Sequence, residues 1–194
     1  MAAAASAATF GSIPGVGGGT NDILDDVFGP GTTSRNGWYG ATLYLTGASD
    51  VTATFLGEEA GMNNTFHWDG TKIFSNNGSA AGASITYTNV TAGILDFAFG
   101  INSAVASLFN TSNPGPGKPA NFFVTFENEN ASGGQMAYLF LDDSGSSDDN
   151  HDDMVIKLAV TGGNISIVPL PAAGLMLLGG LGVMGATARR RKNA

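Results

Sequence analysis

Short apolar runs separated by turn-forming residues constrain this 194-residue chain more than any other feature. The runs are Trp38–Thr46, Val51–Leu56, Ser84–Tyr87, Gly93–Phe99, Asn121–Phe126, Gln135–Leu141 and Met154–Val160. They are rich in β-branched and aromatic residues, which suit a pleated, half-buried surface. Val51, Ala53 and Phe55 alternate with Thr52 and Thr54, a period of two rather than the 3.6 of a helix. Between the runs stand Asp69-Gly70, Asn76-Asn77-Gly78, Asn113-Pro114-Gly115 and Gly133-Gly134, residues that tolerate tight turns. The pattern predicts an all-β, antiparallel β-sandwich over residues 9–165, of jelly-roll-like or immunoglobulin-like form. Phe10–Gly31 and Thr111–Pro119 read as irregular. Gly163–Val168 adds at most an edge strand, and no internal repeat is present.

Composition narrows the function classes. There are 16 acidic and 8 basic residues, for a formal charge of −8. Four of the cations, Arg189, Arg190, Arg191 and Lys192, sit together at the C-terminus, so the body is more acidic still. Such a body repels phosphate backbones, which excludes nucleic acid as a partner. Charged residues make up only 12% of the chain and glycine supplies 29 positions, unlike a helical cytosolic protein. A hydrophobic content of 43% is too high for a wholly disordered chain. The absence of cysteine removes disulfides, thiolate metal sites and thiol nucleophiles together.

The C-terminal segment reads VPLPAAGLMLLGGLGVMGATARRRKNA from Val168. Ala172–Ala188 carries no charge, and as a helix rising about 1.5 Å per residue it would span roughly 26 Å, close to the ~30 Å of a hydrocarbon core. Pro169 and Pro171 suit the first turn of such a helix, and its glycines are tolerated in lipid. The arginine cluster then acts as a membrane stop and orients the C-terminus to the cytoplasm. The rival is a buried core helix with a basic tail, but no acid follows Asp153 to partner those cations. A short proline motif, an apolar Gly-rich helix and an arginine cluster, in that order, resemble the PEP-CTERM sorting signal in its VPLPA variant. The motif residues are Val168, Pro169, Leu170, Pro171 and Ala172. The resemblance implies recognition by an exosortase, a membrane cysteine protease of Gram-negative bacteria. Cleavage near the prolines would follow a transient inner-membrane anchorage, leaving the body at the cell surface or outside the cell. At the other end, residues 1–8 (MAAAASAA) read as the remnant of a signal peptide. They offer small residues for cleavage but no basic leader, and a flexible Ala-rich end is the alternative.

One segment carries concentrated chemistry. Asp142–Asp153 reads DDSGSSDDNHDD between two strong strand runs. Six carboxylates this close repel one another unless a cation or solvent screens them. Ca²⁺ takes six to eight oxygen ligands, and a Gly/Ser loop can wrap it, although the spacing does not fit an EF-hand. Asp148-Asp149-Asn150-His151-Asp152-Asp153-Met154-Val155 resembles an acidic hairpin of secreted bacterial β-domains, D-x-D-aromatic-[ND]-D followed by apolar residues. His151 stands in the aromatic place and Asn150 in the second aspartate place. The resemblance implies a Ca²⁺ site formed by Asp142, Asp143, Asp148, Asn150, Asp152 and Asp153; the alternative is a solvated acidic turn.

Other candidates are weaker. His67 and His151 are the only imidazoles, and a lone histidine beside acids is expected at the surface rather than on Zn²⁺. Glu127 and Glu129 would share one strand face, whereas Glu58 and Glu59 would point apart. No GxSxG elbow, Walker loop or GxGxxG-helix unit occurs, so a non-enzymatic protein is expected. Trp38, Tyr39, Trp68 and Tyr87 offer either core packing or a sugar-binding face. The expectation is an exported, exosortase-sorted protein of the cell surface or extracellular matrix, which the resemblance links to exopolysaccharide. A calcium-dependent carbohydrate-binding or adhesion module, and a secreted hydrolase, are the alternatives.

Overall fold

The computed structural model describes residues 8–13, 22–117, 120–144 and 151–168. In chain order its strands are β1 (Thr9–Ile13), β2 (Arg35–Tyr39), β3 (Leu43–Leu45), β4 (Ser49–Gly57), β5 (Thr65–Trp68), β6 (Thr71–Ser75), β7 (Ser84–Val90), β8 (Gly93–Ile94), β9 (Phe97–Gly100), β10 (Leu108–Phe109), β11 (Asn121–Phe126), β12 (Gly133–Gly134), β13 (Met136–Asp142), β14 (Met154–Val160) and β15 (Ile165–Ile167). A helix, α1 (Asp22–Phe28), follows β1. The described residues are therefore mostly β, and every ladder among them is antiparallel.

One sheet has seven strands in the order β1-β2-β11-β13-β14-β4-β7. Two four-stranded sheets, β10-β9-β5-β6 and β12-β15-β3-β8, lie against its inner face. The shared core takes Val51, Ala53 and Phe55 from β4, Phe122 and Val124 from β11, and Leu139 and Ile156 from β13 and β14. Phe66, Phe97 and Phe99 meet them from the second layer, with Leu43 and Ile165 from the third sheet. Phe99 and Phe122 rings lie 5.6 Å apart across the layers. Burying each such side chain contributes about 1.5–3 kcal/mol.

The outer face of the seven-stranded sheet is covered as well. Ile23 and Leu24 of α1 pack with Ile13, Tyr39, Phe123, Phe140 and Val155. Strands β11, β13 and β14 are thus buried on both faces, which explains their nearly continuous apolar sequences. Phe122 belongs to the inner cluster and Phe123 to the outer one, as period-two alternation requires.

The structure alters several boundaries. Trp38–Thr46 is two strands in different sheets, because Gly40 turns the chain with φ +64°. Gly93–Phe99 divides at Leu95-Asp96 for a similar change of sheet. Strand β15 is not an edge: it pairs with β12 and β3 on its two sides. The region expected to be irregular between Phe10 and Gly31 supplies β1 and α1. The hairpin β5–β6 forms around Asp69-Gly70, both at positive φ.

Candidate functional site

The acidic residues meet where β13 runs into β14. The last ladder pair is Leu141 with Met154, and the Asp153 N–H donates to the Leu141 carbonyl at 3.1 Å. Asp142 and Asp153 therefore flank the mouth of this central hairpin. The Asp143 N–H donates to Asp153 Oδ2 at 2.7 Å, and the Ser144 N–H donates to Asp142 Oδ1 at 3.1 Å. The Glu59 N–H donates to the Asp152 carbonyl at 2.9 Å, bringing the loop after β4 against the same mouth. Asp142, Asp143 and Asp152 are all buried.

Desolvation decides the electrostatics. Burial pushes the Asp153 carboxyl up to about 7. The N–H of Asp143 opposes that rise, while the charges of Asp143, Asp152 and Asp142 add to it. Asp142, Asp143 and Asp152 thus stand close enough to Asp153 for their charges to favour its protonated form. An all-oxygen donor set of this kind suits a hard divalent cation. Among the described residues, however, no three acidic or imidazole side chains are arranged to hold a metal ion. Asp148 and Asn150 lie outside the described residues.

Two amides absent from the expected ligand set belong to this site. Asn64, wholly buried just before β5, donates from Nδ2 to Asp143 Oδ2 at 2.6 Å. Its Oδ1 accepts the Asn102 N–H at 3.2 Å, and its own N–H donates to Asn76 Oδ1 at 3.0 Å. Asn64 thus fastens the acidic hairpin to the second layer. Asn121, also wholly buried, stands opposite Asp142 in the β11–β13 ladder. The Asn63-Asn64 pair carries only a turn signal, and nothing local announces a partner in the distant hairpin.

His151 is not a surface residue, contrary to expectation: it is fully buried. Its ring meets Tyr39 edge-on at 5.4 Å and Phe123 at 6.1 Å, and its Nε2 lies 2.8 Å from Asn121 Oδ1. It fills an aromatic-lined seat, at a φ of +57° that histidine tolerates better than most residues. His67 is buried too. Burial and then the Lys72 charge hold its pKa below the usual histidine value, and its Nδ1 has no partner among the described residues.

The remaining candidates are structural in their contacts. Glu127 and Glu129 lie beyond the end of β11 rather than along it. Glu129 Oε2 accepts the Asn36 N–H at 3.0 Å and stands 3.9 Å from Arg35 Nε. Glu58 Oε2 accepts the Ala60 N–H at 2.6 Å. The four candidate sugar-face aromatics serve packing. Trp38 Nε1 donates to the Ala131 carbonyl, Tyr39 Oη donates to the Ser12 carbonyl, and Trp68 stacks on Tyr87 at 5.0 Å.

Val168 is the one described residue of the proline motif, and its N–H donates to the Thr42 carbonyl at 2.7 Å. Pro169, Leu170, Pro171, Ala172, the expected helix 172–188 and Arg189, Arg190, Arg191 and Lys192 lie outside the described residues. Among the described residues no helix is long and apolar enough to cross a membrane. Comparison with known proteins finds no matching family model, no matching curated protein and no matching solved structure.

Proposed function

We propose that this chain is an exported, non-enzymatic surface protein whose β-sandwich body is delivered by an exosortase-read C-terminal signal. The observation that carries the reading is the position of the motif. The last hydrogen bond of the described fold is made by Val168, the first residue of VPLPA, to Thr42. A cut after this point would leave the two-layered core intact. The body belongs at the cell surface or in the extracellular matrix, with exopolysaccharide as its setting. Mass spectrometry of the exported protein from a host carrying an exosortase tests this. A C-terminus within or just beyond Val168–Ala172 is expected; an exported form ending at Ala194 would overturn it.

A second reading concerns the hairpin mouth: Asp142, Asp143, Asp152 and Asp153, joined by Asp148 and Asn150, bind Ca²⁺. It is favoured by the burial of Asp142, Asp143 and Asp152 at one hairpin mouth, beside an Asp153 carboxyl that burial and those neighbouring charges raise. A bound ion would offset the mutual repulsion of these acids and favour the ionised form of Asp153. Isothermal titration with Ca²⁺ at constant ionic strength tests it, saturable one-site binding being the expected result and no heat the opposite one.

A further inference from the structure

At the end of β5–β9 away from Asn64, the chain crosses from the edge of one four-stranded sheet to the other. Strand β8 lies at the edge of one sheet and β10 at the edge of the other. Leu95-Asp96 forms the crossing between β8 and β9. Asn110, almost fully buried, closes the floor of the gap. Its Nδ2 donates to the carbonyls of Leu43 and Leu95, each at 2.8 Å, and its Oδ1 accepts the Leu43 N–H at 2.8 Å. Above this floor is a cleft of about 250 Å³.

The walls of the cleft are unusual for this surface. Ile94 is 57% exposed and Phe109 46% exposed, two of the most exposed large apolar side chains described. At the rim, Asp96 and Thr111 are exposed, and their side chains make no hydrogen bond or ion pair with any described residue. The Asp96 main chain is held in place, since its carbonyl accepts the Asp69 N–H at 2.9 Å. The cleft therefore offers two apolar walls, one aromatic and one aliphatic, beside an unengaged carboxylate on an anchored main chain and a hydroxyl.

We infer that this cleft is a binding site for one neutral pyranose ring, the end residue of a glycan. The volume falls just below the ~300 Å³ at which drug-sized pockets begin, so the ligand is a single ring. A pyranose has apolar C–H faces to lie against Phe109 and Ile94 and hydroxyls to donate to the two carboxylate oxygens of Asp96. Charge argues against an acidic sugar, because Asp96 and the acidic body repel it. Chemistry argues against a quaternary amine, which favours several aromatic faces around it, while Phe109 is the one exposed ring here. The floor is already hydrogen-bonded, so binding needs little reordering. The inference stands apart from the calcium reading, because the acidic hairpin is fastened by Asn64 at the opposite end of β5.

The test is ¹H–¹⁵N NMR titration of the protein with neutral methyl glycosides of glucose, galactose and mannose, in EDTA. Methyl glucuronide and choline serve as comparisons. At least one neutral glycoside should bind saturably with a dissociation constant on the order of millimolar. Its shifts should centre on Ile94–Phe97 and Phe109–Thr111. Asp96→Ala should weaken binding roughly tenfold or more, as expected for hydrogen bonds to a charge. Phe109→Ala should abolish it. Both side chains are exposed, so unchanged melting temperatures should show that the variants still fold. Absence of shifts with all three neutral glycosides, stronger binding of choline or the glucuronide, or shifts centred elsewhere would overturn the inference.

Discussion

The carboxylate of Asp153 accepts the main-chain N–H of Asp143 at 2.7 Å across the mouth of the β13–β14 hairpin. That bond fixes one acid of the cluster against the backbone carrying another, so the two segments cannot relax apart independently. It also ties the charge state of the cluster to the integrity of the two central strands.

Calcium should therefore act as a stabiliser. For an extracellular-type site with affinity near 10⁻⁴–10⁻³ M, millimolar Ca²⁺ adds roughly 0.4–1.4 kcal/mol, raising the melting temperature by a degree or more. Mg²⁺ should do less, because it demands a tighter octahedron. Asp153→Asn should remove much of the effect. Superimposed melting curves in Ca²⁺ and in EDTA would reduce the hairpin to a buried acidic turn.

The pH dependence in EDTA has a definite sign. The Asp153 carboxyl is raised from 3.8 to about 7, chiefly by burial, so the folded state holds its proton where the unfolded state has lost it. The stability this gives is fully present below 3.8 and is lost as pH rises through about 7. Stability in EDTA should fall between about pH 4 and pH 7, and Asp153→Asn should flatten that slope. Urea denaturation of both proteins across that range makes the measurement. His67 works in the opposite sense: its lowered pKa gives stability present above 6.5 and lost as pH falls. His67 is common to both proteins, so it cancels in their difference.

Gly37 in β2 should tolerate no side chain. An added Cβ would run into the Val124 carbonyl and the Phe123 ring, both in the adjacent strand β11. Gly37→Ala should cost about 1–3 kcal/mol, the range for overpacking, read as a lower urea midpoint with an unchanged slope. Gly61→Ala, where nothing lies within 4 Å, is the comparison that should leave stability nearly unchanged.

A chain ending at Val168 should be soluble and β-rich by circular dichroism. The inner core of the described residues runs to Ile167, and Val168 contributes a backbone bond to Thr42. Persistent aggregation, or a strong helical spectrum, would count against a body with its own core.

The strands with the clearest sequence signal are those buried on both faces. Asn121–Phe126 and Met154–Val160 fall where their residue types place them, because tertiary burial and local propensity agree there. Strand β1 was hidden by glycine and threonine, and it forms because β2 offers it a partner edge. Helix α1 has seven residues, too few to show a periodic stripe, and Ile23 and Leu24 hold it on the sheet. At the candidate site the carboxylates were legible because they are adjacent in sequence. Asn64 and Asn121 were not, since their roles come only from partners brought near by the fold. His151 is buried despite its acidic neighbours, because a charged neighbourhood in sequence says nothing about the Tyr39 and Phe123 rings beneath it.

The sheet order also sets a schedule for folding. Val51 of β4 pairs with Val160 of β14, and Trp38 of β2 pairs with Val124 of β11, so early strands wait for partners made much later. A topology rich in such distant pairs folds slowly, since each loop must close before its contacts repay the lost entropy. Strand β3 lacks one of its neighbours until Ile165–Ile167 arrive, immediately ahead of Val168. A chain threaded through a membrane from its N-terminus would stay unfolded, and open to proteases and chaperones, until nearly all of the body had emerged.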